Sequence, residues 1–381
     1  MAEFDVIVFG ATGYTGRLVA EHLLKHAEVR WAMAGRSKDK LAAVRAEIGA
    51  PESLPLIVAD ADDPASLEAM CKRAKVIIST AGPYQLYGSN LVAACAKTGT
   101  DYVDLTGESH WIAQMIAAHE GEAKKSGARL VFSCGFDSIP FDLGVYFAEE
   151  QAKKKFGAYA PRVRGRIRGM RGGLSGGTLA SGQATIAAAR KDHAIMGVLA
   201  NPFALTPGFT GPAQPDGDTP YEDKVTGSWV GPFMMAGINT KAVHRTNYLL
   251  GHPWGADFKY DEMQMLDGPP SGGAAPGFAI DLANMPKPGE GPSKEDREAG
   301  FYDIVFIAEM PDGRTLRATV KGDHDPGYGS TSKILAEAAI ALAAVPRATT
   351  ASGCWSPAAA MAGALLERLP KMAGLTFAVE G

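Results

Sequence analysis

The segment VIVFGATGYTG, residues 6–16, has glycines at intervals of three directly after an apolar run, and the helical pattern RLVAEHLLKHA follows it. Glycine lets a backbone approach a diphosphate closely, and the next helix offers unpaired N–H groups and the positive end of its dipole. A strand, a glycine turn and a helix in this order open a βαβ unit, the context in which the pattern indicates dinucleotide binding. The predicted cofactor-binding residues of this turn are Gly10, Ala11, Thr12, Gly13, Tyr14, Thr15 and Gly16.

Short β-rich runs alternate with helical segments as far as ARLVFSCG, which predicts an α/β fold with a doubly wound parallel sheet of the Rossmann type. The 381 residues exceed one typical domain of about 150 residues. We predict a Rossmann domain over 1–140, a second, mixed α/β (α+β) substrate domain over 141–330, and C-terminal helices over 331–381 that pack back on the first domain. Dense Pro and Gly over 201–232 and 267–292 predict long irregular loops, and Pro311-Asp312-Gly313 predicts a hairpin turn.

Composition restricts the partners and the setting. The net charge of −4 and the pI of about 6.1 give no reason to expect nucleic-acid binding, and they favour a small-molecule substrate. The four cysteines form no CxxC pair, so we predict neither a disulfide framework nor a metal site. With an acidic N-terminus and no apolar run of about 18 residues, we expect a cytoplasmic protein without a transmembrane segment, while peripheral membrane contact stays open. We also expect a homodimer.

The end of the second predicted strand indicates which dinucleotide is bound. An NAD enzyme would place a carboxylate there, about 20 residues after the glycine turn, for the ribose 2′-hydroxyl. This chain has AGRSKDK instead, and Arg36, Ser37 and Lys40 carry the groups that neutralise a 2′-phosphate. The cofactor prediction is therefore NADP(H). The alternative is that Arg36 and Lys40 only begin a solvated helix.

Two later turns are expected at the same edge of the sheet, because ligands of open parallel sheets bind beyond the carboxyl ends of the strands. Asp60 and Asp62 follow the third strand and are candidates for adenine contact, although capping of the helix before Pro64 explains them equally well. Ala81, Gly82 and Pro83 follow the fourth strand, where small residues leave room for the nicotinamide end.

Two familiar chemistries are disfavoured. Short-chain dehydrogenases need a Lys four residues after the catalytic Tyr, and none of the eleven tyrosines here has one. A thiolate mechanism would have to use Cys134 in FSCGFDSIP, and a thiol at the end of a buried strand is more often a small hydrophobic residue.

Taken together, the motifs FGATGYTG, AGRS, TAGPY, CGFDSIPFDLG, SGGTLASG, KGDHDPGYGSTSKILAEAA and GCWSPAAAMAGALLERL resemble those of the saccharopine dehydrogenase-like oxidoreductases, in particular the trans-acting enoyl reductases of lipid assembly. The resemblance runs nearly end to end. It implies an NADP(H)-dependent oxidoreductase of lipid metabolism that transfers a hydride to an enoyl lipid or polyketide-type substrate, which is hydrophobic.

The proton donor of such a reduction has three candidates, Tyr84 beside the nicotinamide turn and Asp137 with Ser138 after the sixth strand. Asp137 is equally explained as a helix cap. Asp323, His324 and Tyr328 form a later polar group.

Two other functions remain open. An imine or amino-acid dehydrogenase of the saccharopine type would use a basic face of the segment RVRGRIRGM, made of Arg162, Arg164, Arg166 and Arg168, although these arginines also suit the solvated side of a strand. A non-catalytic, NADPH-binding scaffold would bind the cofactor without turnover.

Overall fold

Two seven-stranded sheets organise the computed structural model, which describes residues 2–26, 28–173, 175–269, 287 and 289–380. The strands of the first sheet are β1 (Phe4–Phe9), β2 (Trp31–Gly35), β3 (Leu56–Val58), β4 (Ala74–Ser79), β5 (Asp101–Asp104), β6 (Arg129–Val131) and β13 (Gly353–Trp355). Their order is β13-β6-β5-β4-β1-β2-β3, and every neighbouring pair is parallel. The strand order reverses direction at β1, which opens a ligand crevice beyond the carboxyl ends of β1 and β4.

Helices connect these strands as the sequence pattern predicts, and the prediction of a doubly wound parallel sheet is confirmed. They are α1 (Tyr14–Leu23), α2 (Lys38–Glu47), α3 (Pro64–Cys71), α4 (Tyr84–Tyr87), α5 (Ser89–Thr98) and α6 (Ser109–Ser126). The central strand β1 is apolar from Val6 to Phe9, and Val6, Ile7 and Val8 are completely buried because helices cover both faces of the sheet.

The second sheet is mixed. Its strands are β7 (Arg162–Arg171), β8 (Tyr221–Asp223), β9 (Ser228–Pro232), β10 (Lys259–Leu266), β11 (Phe301–Glu309), β12 (Thr315–Gly322) and β14 (Leu375–Val379), in the order β14-β12-β11-β7-β10-β9-β8. Its helices are α7 (Ile139–Phe156), α8 (Gly176–Lys191), α9 (Ala194–Ala200), α10 (Ala236–Leu249) and α11 (Lys294–Glu298). The predicted hairpin is confirmed as β11 and β12, whose turn has Gly313 at φ +85°.

Helix α7 connects the two sheets. It begins directly after the loop that follows β6, and it packs on β11 and β12 of the second sheet. Gly144 allows this close packing, since a Cβ atom at this position would overlap the ring of Phe306.

The C-terminal region contributes to both sheets. After one π-helical turn (Pro326–Ser330), α12 (Thr331–Ala344) packs against α1 and the first sheet, as predicted, whereas α13 (Pro357–Met372) packs on α7 and α12. Strand β13 extends the first sheet beside β6, and β14 extends the second beside β12. Neither strand was predicted, because segments of three and five residues show no usable periodicity.

The two Pro/Gly-rich segments have different outcomes. The prediction of an irregular loop over 201–232 was wrong for its last third, which forms β8 and β9. In the segment 267–292, residues 270–286 and 288 lie outside the described residues. Within the part of the chain that the structure describes, no helix combines the length and apolar character needed to span a membrane.

Candidate functional site

The glycine turn is built by contacts that exclude side chains. Gly10 has φ +84°, and a Cβ atom on Gly16 would collide with the carbonyl oxygen of Gly10. Thr80, at the end of β4, fixes the turn from the other side by donating its hydroxyl to the carbonyl of Phe9 over 3.1 Å. Gly13 is the N-cap of α1, and a Cβ atom there would meet only the Gly10 oxygen at 3.4 Å. The first turn of α1 thus presents bare backbone, the surface that a diphosphate requires.

The remaining residues of the turn differ in exposure. Ala11 is completely buried, Thr12 is exposed, and Thr15 is half-buried. Tyr14 is buried because the chain around Pro292 covers it: its hydroxyl donates to the Pro292 carbonyl and accepts from Arg297 over 2.8 Å. The sequence analysis missed this cover, since Arg297 is 283 residues from Tyr14 along the chain.

The end of β2 presents two cations with no ion-pair partner among the described residues. Arg36 and Lys40 are exposed, while the Ser37 oxygen caps α2 by accepting the backbone N–H of Lys40 over 3.4 Å. The Ser37 O–H itself stays free to donate. Arg36, Ser37 and Lys40 can therefore begin helix α2 and bind an anion at the same time. The two interpretations of this segment, a phosphate site and a solvated helix start, do not exclude each other.

Asp60 lies at the end of β3 and is only half-buried. Its carboxylate accepts the backbone N–H of Asp62 over 3.1 Å, and Asp63, not Asp60 or Asp62, caps α3. One carboxylate oxygen of Asp60 thus shapes the turn.

The turn after β4 is held by a residue that the sequence analysis missed. Glu108, buried at the start of α6, accepts the backbone N–H groups of Tyr84 and Gln85 over 2.9 and 2.8 Å. The same carboxylate accepts the hydroxyl of Ser181 on α8 over 2.9 Å. Glu108 therefore fixes Ala81, Gly82 and Pro83 indirectly and attaches α8 beside them. The only sequence signal for the role of Glu108 was the position of an acidic residue between a strand and a helix.

Tyr84 points into the protein. Its hydroxyl donates to the Ser79 carbonyl over 2.9 Å, and its ring packs on Trp111. Burial raises the pKa of Tyr84 well above its ordinary value. The hydroxyl is therefore already engaged with the backbone, and this geometry disfavours it as a proton donor.

The loop after β6 presents one free carboxyl group. Asp137 is half-buried beside Gly107, and no hydrogen bond or ion pair to its carboxylate occurs among the residues that the structure describes. Desolvation raises the pKa of Asp137 to about 6. The apolar side chain of Ile238 of α10 also lies against Gly107, and the phenol groups of Tyr84 and Tyr328 are near enough for the charge of Asp137 to raise their pKa values. This carboxyl group can be protonated near neutral pH, as a general acid requires.

The polar residues near Asp137 stabilise the loop and do not offer a free reactive group. Ser138 is completely buried and its hydroxyl donates to the Asp137 carbonyl over 2.7 Å. Burial raises the pKa of the Cys134 thiol well above its ordinary value, which excludes a resting thiolate. Asp104 joins β5 to this loop by accepting the Ser133 and Thr106 amides, and burial raises its pKa to about 7.

The structure separates Tyr328 from Asp323 and His324, the other members of the later polar group. Tyr328 packs edge-on against Tyr14, with ring centroids 5.2 Å apart, and its hydroxyl accepts the Ser175 amide over 2.7 Å at the start of α8. His324 instead bonds Asp323 over 2.6 Å on the exposed side. Only Tyr328 therefore borders the glycine turn.

The arginines of β7 are neutralised by carboxylates. Arg166 is completely buried and contacts Asp223 and Asp261, each over 2.8 Å. Carboxylates likewise pair the other three arginines of the strand: Arg162 with Asp261, Arg164 with Glu309, and Arg168 with Glu380. These residues form a charge-paired sheet face and not a free basic face for an anionic substrate.

Aromatic residues of two segments of the second domain belong to the hydrophobic core. Phe233 of PFMMAGINT and Trp254 with Phe258 of HPWGADF are buried in the hydrophobic core.

The sequence is similar to known proteins both in its first third and along nearly its whole length. The family model described as the saccharopine dehydrogenase NADP binding domain matches residues 6–131. A Mycobacterium tuberculosis protein is 38% identical to this chain, and the alignment covers 97% of this chain and 96% of that protein. Relatives named trans-acting enoyl reductase, from Mycobacterium ulcerans and Mycobacterium leprae, are 37% and 36% identical with the same coverage.

Among solved structures, the apo histidine-tagged saccharopine dehydrogenase (L-Glu forming) from Saccharomyces cerevisiae is similar over 99% of this chain and 100% of its own, with a TM-score of 0.57 and 13% sequence identity. At this identity the likeness concerns the fold alone.

Proposed function

Because the chain belongs to the saccharopine dehydrogenase-like oxidoreductases and its cofactor is NADP(H), we propose that it reduces an enoyl group of a hydrophobic lipid or polyketide-type substrate. The observation that carries this proposal is Asp137, a desolvated carboxyl group without a partner among the described residues, which lies at the carboxyl edge of the first sheet. The names of the relatives support the enoyl class.

The cofactor would be held by the carboxyl edge of the first sheet. The backbone from Gly10 to Gly16 binds the diphosphate, and the lack of a side chain on Gly13 gives it room. The cations of Arg36 and Lys40, with the Ser37 hydroxyl, bind the 2′-phosphate, while Asp60 borders the adenosine. Ala81, Gly82 and Pro83 then leave space for the nicotinamide end.

When bound, NADPH supplies the hydride, that is, one proton and both electrons of the new C–H bond. The chain has to provide the second proton. We assign this to Asp137: its carboxyl proton goes to the carbon next to the substrate carbonyl, and the resulting carboxylate takes up a proton from water. Glu108 acts as a positioning residue, since it holds the turn after β4 and the helix α8 together.

The carboxylate pairing of the β7 arginines favours an apolar substrate over an amino acid with several carboxylates. Such an amino acid needs unpaired arginines, and the four alternating arginines of β7 all have carboxylate partners. Desolvation is also the cause of the Asp137 pKa shift, so a hydrated anionic substrate would meet unfavourable surroundings there.

The decisive experiment follows the label from NADPH. Purified protein is incubated with both 4-deuterated epimers of NADPH and a series of enoyl thioesters of increasing chain length, and the products are analysed by mass spectrometry. We expect deuterium on the formerly unsaturated carbon β to the carbonyl. The Asp137→Asn variant should bind NADPH normally and transfer label about 10²-fold to 10⁴-fold more slowly, while Asp218→Asn, which alters an exposed carboxylate, should behave as wild type.

Other outcomes identify the competing functions. Deuterium on a carbon that bears an amine would refute enoyl reduction and indicate imine reduction. Tight NADPH binding without transfer to any thioester or imine, and without reduction of NADP in the reverse direction, would indicate a scaffold.

A further inference from the structure

A buried cluster of ligating side chains lies at the C-terminal end of α1, opposite the glycine turn. His22 is in the last turn of this helix, His26 follows the helix three residues after its end, and both face Glu337 of α12. The Glu337 Oε1 atom is 2.8 Å from His22 Nε2 and 2.7 Å from His26 Nε2. The exposed fractions of the three side chains are 4%, 1% and 0%.

The spacing of these atoms suits a tetrahedral ion. Zinc binds imidazole nitrogen at about 2.0–2.1 Å, which places two nitrogen ligands about 3.3–3.4 Å apart in tetrahedral geometry. The Nε2 atoms of His22 and His26 are already 3.4 Å apart. The carboxylate oxygen, now at hydrogen-bonding distance, would have to withdraw by about 0.5 Å to become the third ligand.

The surrounding groups independently resemble the outer shell of a metal site. Histidines that bind metals usually donate the other ring N–H to a carboxylate, and Glu28 Oε1 lies 3.0 Å from His26 Nδ1. Arg368 donates to the second oxygen of Glu337 from Nε and Nη2, over 2.9 and 2.7 Å. These contacts orient the carboxylate and direct Oε1 to the two histidines.

We propose that His22, His26 and Glu337 form a structural site for a divalent transition-metal ion, best suited to Zn²⁺, with water as the fourth ligand. Imidazole and carboxylate are suitable ligands for zinc, and the burial of the cluster leaves no access for a large substrate. The i, i+4 histidines of EHLLKH were the available sequence signal, which the sequence analysis did not use.

The ion would connect the C-terminal end of α1 with α12. Helix α1 carries the glycine turn at its N-terminus, and α12 contacts the Asp137 loop, since Thr331 Oγ1 accepts the Phe136 amide over 3.0 Å. A bond through Glu337 therefore fixes the distance between the cofactor turn and the loop with the free carboxyl group. The proposal does not depend on the reaction proposed above, because metal binding is measured without cofactor or substrate.

The test uses the full chain, freed of metal with a chelator and dialysed. Zn²⁺ is titrated by calorimetry, and Co²⁺ is titrated by visible absorption, which reports nitrogen and oxygen ligands in a distorted four- or five-coordinate site. We expect one sub-micromolar zinc site per chain and a rise of the melting temperature with zinc.

The variants separate this site from adventitious binding. His26→Gln should abolish the cobalt spectrum, and Glu28→Gln, which alters a mostly exposed side chain, should weaken zinc binding about 10-fold to 100-fold without unfolding. His193→Gln removes the exposed histidine at the N-cap of α9 and should leave zinc binding unchanged. Unchanged zinc affinity in Glu28→Gln and His26→Gln, with NADPH binding retained as the check of folding, would overturn the proposal, as would the lack of a stoichiometric site in wild type.

Discussion

Two glycine-to-alanine substitutions separate the role of the glycine turn in folding from its role in binding NADPH. In Gly16→Ala, the new Cβ atom collides with the Gly10 carbonyl oxygen and comes within 2.7 Å of Thr80 Oγ1. Overpacking of this kind costs about 1–3 kcal/mol, while alanine in a helix gains about 1 kcal/mol over glycine. The upper part of the overpacking range applies, because the new Cβ atom would overlap a backbone oxygen, which cannot rotate away as a side chain does. We therefore expect a net loss of about 1–2 kcal/mol in the free energy of unfolding.

Gly13→Ala should leave the fold almost unchanged. Its φ of −79° suits alanine, and the only neighbour of the new Cβ atom is the Gly10 oxygen at 3.4 Å. Replacing an N-cap glycine with alanine lowers the free energy of unfolding by about 1 kcal/mol. The lower conformational entropy of the unfolded alanine variant raises it again by about 0.4–1 kcal/mol. The methyl group does occupy the space proposed for the diphosphate, so the Kd for NADPH should rise at least tenfold, about 1.4 kcal/mol.

The assay combines urea unfolding, followed by circular dichroism, with NADPH fluorescence titration on both variants. Wild-type affinity in Gly13→Ala would refute the placement of the diphosphate at this turn. Wild-type stability in Gly16→Ala would refute the steric argument for its glycine.

Four further predictions address the charged groups. Since Asp137 must be protonated to donate, kcat should fall as the pH rises above about 6, and Asp137→Asn should lower kcat about 10²-fold to 10⁴-fold and remove this pH dependence in steady-state profiles. Arg36→Ala should raise the Kd for NADPH about tenfold and leave that for NADH unchanged, whereas Lys38→Ala, on the same exposed helix start, should affect neither in fluorescence titrations. Arg166→Met should cost about 3–5 kcal/mol in urea unfolding, because it removes the buried cation from two buried carboxylates and leaves them only the less buried Arg162 and Arg164; a change below about 1 kcal/mol would contradict the charge pairing described here. Burial raises the pKa of Glu149 to about 8, far above its unfolded value, so this carboxyl group destabilises the fold increasingly as the pH rises from about 4 to 8. The melting temperature of Glu149→Gln relative to wild type should therefore be higher at pH 8 than at pH 5, and equal differences at both would contradict the shift.

Local patterns were sufficient for the first six strands of the first sheet and for the glycine turn. Apolar periodicity distinguishes strand from helix within a window of about ten residues, and a turn with φ +84° at Gly10 requires glycine wherever it occurs. The chemistry of AGRSKDK is likewise local, because Arg36, Ser37 and Lys40 lie within five residues of one another.

Only the tertiary structure decided which side chains are free and which are engaged. Tyr84, Ser138 and Asp137 are similar candidates in the sequence, yet two of the three donate hydroxyl protons to backbone carbonyls, and only Asp137 has an uncommitted polar group. The arginines of β7 looked like an anion site until carboxylates from four other segments paired with them. His22 and Glu337 meet across 315 residues. A hydrogen bond or an ion pair depends on distances of about 3 Å, and chain segments hundreds of residues apart acquire such distances only when the sheets and helices pack.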